Sequence, residues 1–165
     1  MLETDSNLVE VYLHPGESYL ARQPAIIRTL LGSCVGVSFW SQRLGIGALT
    51  HCQLPRCPAV LAATTGLVDG HRYVDFAIHD IARQFDNLAA RRSEVQVKVF
   101  GGADVLLVSE EASAKPSVGK LNWQVALEVV HAEGFHMTAS SLGGKIGRNI
   151  RFNTETGEVQ LRWLG

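Results

Sequence analysis

Short β-type segments run through nearly the whole sequence, and only two helical segments interrupt them. Val95, Val97 and Val99 alternate with polar residues, the period of two that is typical of a half-buried strand. The segment 154–157 ends in a glycine that can supply the positive φ of a hairpin loop. The predicted strands cover residues 8–13, 25–31, 35–40, 45–54, 95–99, 135–140, 149–153 and 158–164.

The two predicted helices cover residues 72–90 and 118–132, and each carries a single apolar stripe. Ser117 is suited to cap the start of the second helix, and Gly134 is suited to its end. A helix with one apolar stripe packs on a sheet face, so we expect a layered α+β fold. The stripes are Val74, Ile78, Ile81, Phe85 and Leu88 in the first helix, and Leu121, Val125, Val129 and Ala132 in the second.

The length and composition indicate an ordered globular protein. The 165 residues fit one domain, 1–165, and the hydrophobic fraction of 46% exceeds the charged fraction of 19%. With a formal net charge of −1 and no basic stripe, we expect no nucleic-acid partner. The first ten residues lack the basic start of a secretory signal, and every apolar run is shorter than the roughly 20 residues that cross a bilayer. We therefore expect a cytoplasmic protein without direct membrane insertion.

Cys34 is the first candidate for chemistry, because it follows Gly32 and Ser33 between two apolar strands. A glycine lets the chain bend there and approach another molecule closely. Backbone N–H groups at such a bend can stabilise the oxyanion of a carbonyl under attack. On this segment alone, the ordinary interpretation is a small buried hydrophobic residue.

His51 adds a possible base to this thiol. It lies 17 residues after Cys34, near the end of the predicted strand 45–54. A short turn at 42–45 would set that strand beside 35–40 and bring the two side chains together. An imidazole in hydrogen-bond reach can take the thiol proton and create the thiolate, which is the strong nucleophile. The alternative is a histidine satisfied by its surroundings.

These residues resemble the signature of the chemoreceptor glutamine deamidases, the CheD family. The resemblance rests on the order and spacing of several motifs along most of the chain. They are Leu31-Gly32-Ser33-Cys34-Val35, His51 with Leu54-Pro55, Phe100-Gly101-Gly102-Ala103, Gly119 with Asn122, Gly143-Gly144 with Arg148, and Asn153 to Gly157.

The resemblance implies a cysteine hydrolase with a β-sandwich-like core and helices packed on the outer faces. Cys34 would attack glutamine side chains of methyl-accepting chemotaxis receptors, and His51 would move the protons. From the bend before Cys34, rather than from the resemblance, we also expect Gly32 and Ser33 to contact the substrate, and we expect no cofactor or metal. The resemblance also admits the CheC phosphatase as a partner and methyl esters as further substrates.

One position departs from the family pattern. The family threonine lies six residues before the cysteine, where this chain has Arg28, and Thr29 follows one place later. A shift of one residue along a strand normally points a side chain to the opposite face, unless a bulge restores it. Thr29 is therefore a candidate for orienting His51, with an ordinary β-forming residue as the alternative.

Cys52 and Cys57 near His51 fit zinc spacing poorly, so we expect no metal site. The protein could instead be a binding module that docks on chemoreceptors or CheC, with a vestigial cysteine–histidine pair. The Arg28 and Thr29 positions lend that alternative some weight. Deamidation of receptor fragments separates the two.

Overall fold

Two β-sheets form most of the computed structural model, which describes residues 8–59, 69–105 and 115–165. The strands are β1 Val9–Tyr12, β2 Ser18–Ala21, β3 Ala25–Leu31, β4 Val35–Ser41, β5 Ile46–Thr50, β6 Val95–Gly101, β7 His136–Leu142, β8 Arg148–Asn153 and β9 Val159–Trp163. The first sheet has the strand order β1-β3-β8-β9, and the second has the order β2-β5-β4-β6-β7. The helices are α1 Val74–Asn87 and α2 Val118–Ala132, with 3₁₀ turns at Gly70–Arg72 and Arg92–Glu94.

The five-stranded sheet is the middle of three layers. Alternate side chains of β4 enter different cores, since Val37 packs under the helices and Trp40 packs against the four-stranded sheet. Both helices lie on the outer face of the five-stranded sheet, α2 mainly over β4 and β6. The predicted layered α+β fold with a sandwich-like core is confirmed. Between the sheets lie Leu13, Ile27, Leu31, Trp40, Leu49, Phe100, Ile150 and Phe152.

The structure confirms both caps of α2 and most of the buried stripe of α1, which is shorter than the predicted 72–90. Ser117 accepts a hydrogen bond from the Lys120 N–H at 3.1 Å, and Gly134 has φ +79°, so both predicted caps are confirmed. The stripe of α1 is buried as predicted, apart from Leu88, which is only partly buried. No helix within the described ranges is long and apolar enough to span a membrane.

The predicted stripe of α2 is wrong by part of a turn. Leu121 is 38% exposed and Ala132 is also exposed, whereas the polar Asn122 has no exposed surface. Leu121 was predicted to lie on the buried face because it is the more apolar of the two neighbouring residues. The helix is instead rotated so that an amide enters the core. Its buried residues are Gly119, Asn122, Val125, Ala126, Val129 and Val130.

The strand predictions missed β2 and set several ends differently. β5 ends at Thr50, so His51 lies just beyond the regular strand rather than inside a strand that continues to Leu54. The hairpin of β4 and β5 forms as expected around residues 42–45. Two further segments, 57–70 and 109–117, carry the proline and small residues that predict loops, and both fall largely outside the described residues.

Gly157 in the β8–β9 loop lies in tight contact with the ring of Trp40. It has φ +78°, and a Cβ there would lie 2.4 Å from the Trp40 ring. We expect Gly157→Ala to lower the free energy of unfolding by about 3 kcal/mol, since backbone strain and overpacking add. Gly45→Ala is the matched control, because Gly45 has φ +63° and open space around it. That variant should cost about 1 kcal/mol in urea denaturation, and equal losses would contradict the predicted clash.

Candidate active site

Cys34 and His51 lie at the same end of the β4–β5 hairpin. The pairing continues beyond the strands as a bridge in which Val35 and Cys52 exchange two hydrogen bonds of 2.9 Å. In this register Gly36 is opposite His51, and Cys34 is opposite Gln53. Residues 34 and 51 are therefore diagonal neighbours on one face, and Gly36 places no side chain beside them.

That face is turned toward the four-stranded sheet. The Cys34 side chain is half-buried against the inner core, whereas Cys52 points the other way into the core under the helices. Burial raises the pKa of the Cys34 thiol above its ordinary value. In the free protein at neutral pH, Cys34 is therefore a thiol rather than a thiolate.

Thr29 reaches His51 from the opposite sheet. It shares the inner face of β3 with the buried Ile27 and Leu31, and the pairing of β3 with β8 is continuous from Ile26 to Leu31. The inward direction of Thr29 therefore needs no bulge in this strand. The family position is occupied by Arg28, which lies on the outward side of β3 and is partly exposed.

The hydroxyl of Thr29 fixes the proton on the imidazole. Its Oγ1 donates to the Leu13 carbonyl at 2.9 Å and lies 2.6 Å from Nδ1 of His51. Because the hydroxyl proton of Thr29 is donated to the Leu13 carbonyl, the Thr29 oxygen accepts a hydrogen bond from Nδ1–H of His51. The neutral ring then carries its free electron pair on Nε2.

His51 is held as a neutral base. The residue is only 2% exposed, and its Nε2 has no hydrogen-bond partner within the described part of the chain. Burial lowers the pKa of His51 to about 4. At neutral pH, an uncharged imidazole with an unused acceptor therefore shares a face with an uncharged thiol.

The loop that carries the thiol is anchored through its carbonyl groups. The Cys34 carbonyl accepts from the Gly102 N–H at 2.9 Å, and the Gly32 carbonyl accepts from the Ala103 N–H at 3.0 Å. Over the described ranges, the N–H groups of Ser33 and Cys34 donate to no protein acceptor. Gly32 and Ser33 are partly exposed beside the thiol, and their substrate role stays a prediction.

The Gly101-Gly102 and Gly143-Gly144 motifs, far apart in sequence, meet at this end of the sandwich. Besides the Gly102 contact, Gly143 donates to the Gly101 carbonyl at 2.9 Å. Arg148 is buried and donates to the Gly143 carbonyl at 2.9 Å. The motifs therefore share one structural role, which is to support the segment before β4.

Asn122 belongs to one of the family motifs, but its role could not be predicted from the sequence. Its Nδ2 donates to the carbonyls of Ser33 and Gln53, both at 3.0 Å. A fully buried polar residue in an apolar helix face requires partners. One partner, Ser33, directly precedes Cys34, and the other, Gln53, lies two residues after His51. The signal in the sequence was an asparagine where the helical period demands a buried residue.

A two-sheet sandwich that holds a thiol, a neutral imidazole and a hydroxyl at one end defines a candidate cysteine hydrolase. The chain belongs to the CheD family. A family model described as CheD chemotactic sensory transduction matches residues 60–163, and relatives match across nearly the whole chain.

Two relatives illustrate the match. The chain is 34% identical over 165 residues to the probable chemoreceptor glutamine deamidase CheD of Maridesulfovibrio salexigens, covering 99% of this chain and 97% of the relative. It is 37% identical over 157 residues to the probable chemoreceptor glutamine deamidase CheD 2 of Geobacter sulfurreducens, covering 95% and 91%. These alignments extend over Cys34 and His51, which precede the part matched by the family model.

A solved structure shares the fold at much lower sequence similarity. The hypothetical protein YfiH of Bacillus licheniformis superimposes with a TM-score of 0.50 at 9% identity. The match covers 76% of this chain and 50% of that protein, so this chain spans about half its length. At this identity the likeness concerns the fold alone.

The buried neutral His51 generates a prediction about pH. The unfolded chain binds a proton at this residue below about pH 6.5, and the folded protein does so only near pH 4. The free energy of unfolding should therefore fall as the pH drops from 6.5 to 4, with about 3 kcal/mol from this residue. We expect urea denaturation of His51→Gln to lack that part of the slope. Parallel pH dependences in the two proteins would contradict a buried neutral imidazole.

Proposed function

We propose that this protein deamidates glutamine side chains of chemotaxis receptors to glutamate and releases ammonia, with Cys34 as nucleophile and His51 as base. The names of the relatives support the reaction and the substrate. The observation that carries the mechanism is the unused Nε2 of a neutral imidazole on the face of Cys34. No other thiol among the described residues shares that face.

The first half of the reaction forms a thioester. Nε2 of His51 takes the Cys34 proton, and the sulfur bonds to the carboxamide carbon while the carbonyl electron pair moves onto oxygen. When that pair returns, the carbon–nitrogen bond breaks, and the imidazolium donates its proton to the departing nitrogen as ammonia leaves. Thr29 keeps the other ring nitrogen protonated throughout.

The second half returns the enzyme. Nε2 takes a proton from water as the hydroxide oxygen bonds to the thioester carbon, and the carbon–sulfur bond then breaks. The imidazolium proton returns to the Cys34 sulfur, which leaves a glutamate side chain. The Cys34 and Ser33 N–H groups are the proposed donors to the oxyanion in both halves.

The cellular setting follows from this reaction. A protein that modifies receptor glutamines works where the receptor helices are accessible, which agrees with the predicted cytoplasmic location. The CheC phosphatase stays a prediction as a partner, and methyl-ester hydrolysis stays a prediction as a second activity.

The proposed activity is tested by mixing the protein with receptor cytoplasmic fragments. We expect ammonia release and a gain of about 1 Da at glutamine, because an amide nitrogen is exchanged for oxygen. Cys34→Ala and His51→Ala should each lower the rate at least about a thousandfold. Cys57→Ala is the matched control and should leave the rate unchanged, since this thiol lies outside the proposed machinery. Receptor binding without a mass change would favour the binding-module alternative, and activity that survives Cys34→Ala would refute this mechanism.

The proposed role of Thr29 has its own test. Thr29→Val removes the oxygen that accepts Nδ1–H, so kcat should fall about tenfold or more while KM changes little. Thr29→Ser keeps the hydroxyl and should retain most of the rate. Nitrogen NMR of His51 checks the cause, because only the valine variant should lose the fixed Nδ1–H tautomer. Equal kcat values for the valine and serine variants would exclude the role.

A further inference from the structure

Asn122 lies where β4 and β5 separate. Were their ladder to continue beyond Val35 and Cys52, the Ser33 carbonyl would pair with the Leu54 N–H. That N–H donates instead to the Arg72 carbonyl at 3.0 Å. Nδ2 of Asn122 takes its place at Ser33 and binds the Gln53 carbonyl as well. One buried amide therefore ties the nucleophile loop to the strand end that follows His51.

The orientation of this amide is determined by its partners. A reversed amide would place Oδ1 against two carbonyl oxygens, so Nδ2 must face them. The close approach of α2 also depends on Gly119, since a Cβ there would lie 2.5 Å from the Ala103 carbonyl oxygen. Asn122, about one turn later, can then reach across to Ser33.

The Ser33 carbonyl and the Cys34 N–H belong to one peptide group. That group is planar and trans, so its N–H points opposite to its carbonyl. Asn122 holds the carbonyl on the α2 side, and the Cys34 N–H is therefore directed away from α2. The thiol of Cys34 faces away from α2 as well, into the space between the sheets.

We propose that Asn122 is a positioning residue that aims the Cys34 N–H at the oxyanion formed during attack. This inference rests on the proposed deamidase function. When the sulfur–carbon bond forms, the negative charge develops on the carboxamide oxygen, and a donor already oriented stabilises it without reorganisation. Without Asn122, the Ser33 carbonyl loses its partner and the peptide group can rotate, which turns the N–H away from that oxygen.

Two reactions of the same thiol separate this role from others. Deamidation passes through an oxyanion, whereas alkylation of Cys34 by iodoacetamide is a direct displacement at carbon without one. For Asn122→Ala we expect kcat for deamidation to fall about a hundredfold, the usual effect of losing one such donor. The Cys34 alkylation rate, followed by peptide mass spectrometry, should stay within about twofold, because the thiol and His51 are unchanged.

Val125→Ala is the matched control. Val125 is buried on the same face of α2 and is not bonded to the Ser33 loop. It should lower the thermal stability while leaving both rates near those of the wild type. Should the Asn122→Ala protein not fold, Asn122→Ser is compared in the same two assays, and the ratio of the two rates decides.

The outcomes are distinct. A wild-type kcat in the folded Asn122 variant overturns the inference, and so does an equal loss of deamidation and alkylation, which would place the effect on the thiol or the fold. A wild-type protein whose Cys34 is alkylated but which releases no ammonia from receptor fragments overturns the proposed function itself. A selective loss of deamidation supports the positioning role.

Discussion

The packing of the two sheets face to face is the constraint on which the site depends. Thr29 comes from one sheet and His51 from the other, and their 2.6 Å contact exists only because the sheets enclose a common core. The same contact sets the tautomer of the ring and thereby determines which nitrogen can serve as base. A shift of one sheet against the other would separate the two residues while leaving both strands intact.

Burial has a second consequence, which concerns charge. It raises the pKa of Cys34 and lowers the pKa of His51 to about 4, so both groups are uncharged in the free protein. The sequence motif alone is compatible with a thiolate–imidazolium pair, whereas the structure favours a thiol and a neutral imidazole, since desolvation penalises both charged forms. Such a thiol reacts slowly with small electrophiles, and the proposed reaction assigns its deprotonation to the substrate complex, where the developing charge meets backbone donors.

Local sequence signals predicted some elements of this fold correctly and others wrongly. The alternation in β6 and the caps of α2 were predicted correctly, because each depends on neighbours in sequence. The face of α2 was predicted wrongly at Leu121 and Asn122. Hydrophobicity selects leucine for the interior, but the asparagine amide satisfies two carbonyls that a leucine would leave without donors. β2 was missed because Ser18–Ala21 contains no β-branched residue, whereas the equally short β1 alternates Val9 and Val11 with Glu10.

The amino-acid sequence by itself determined the strand and helix periods, the turn glycines and the motif order that places the chain in its family. It also named Cys34 and His51, because a family signature is a property of residue order. Only the tertiary structure decided that Thr29 faces inward, that Nε2 of His51 has no hydrogen-bond partner among the described residues and that Asn122 binds the Ser33 carbonyl before the thiol. These facts depend on contacts between residues as far as 89 positions apart in sequence. Local periodicity carries no information about such contacts, since they arise only when separate sheets and helices bury their surfaces together.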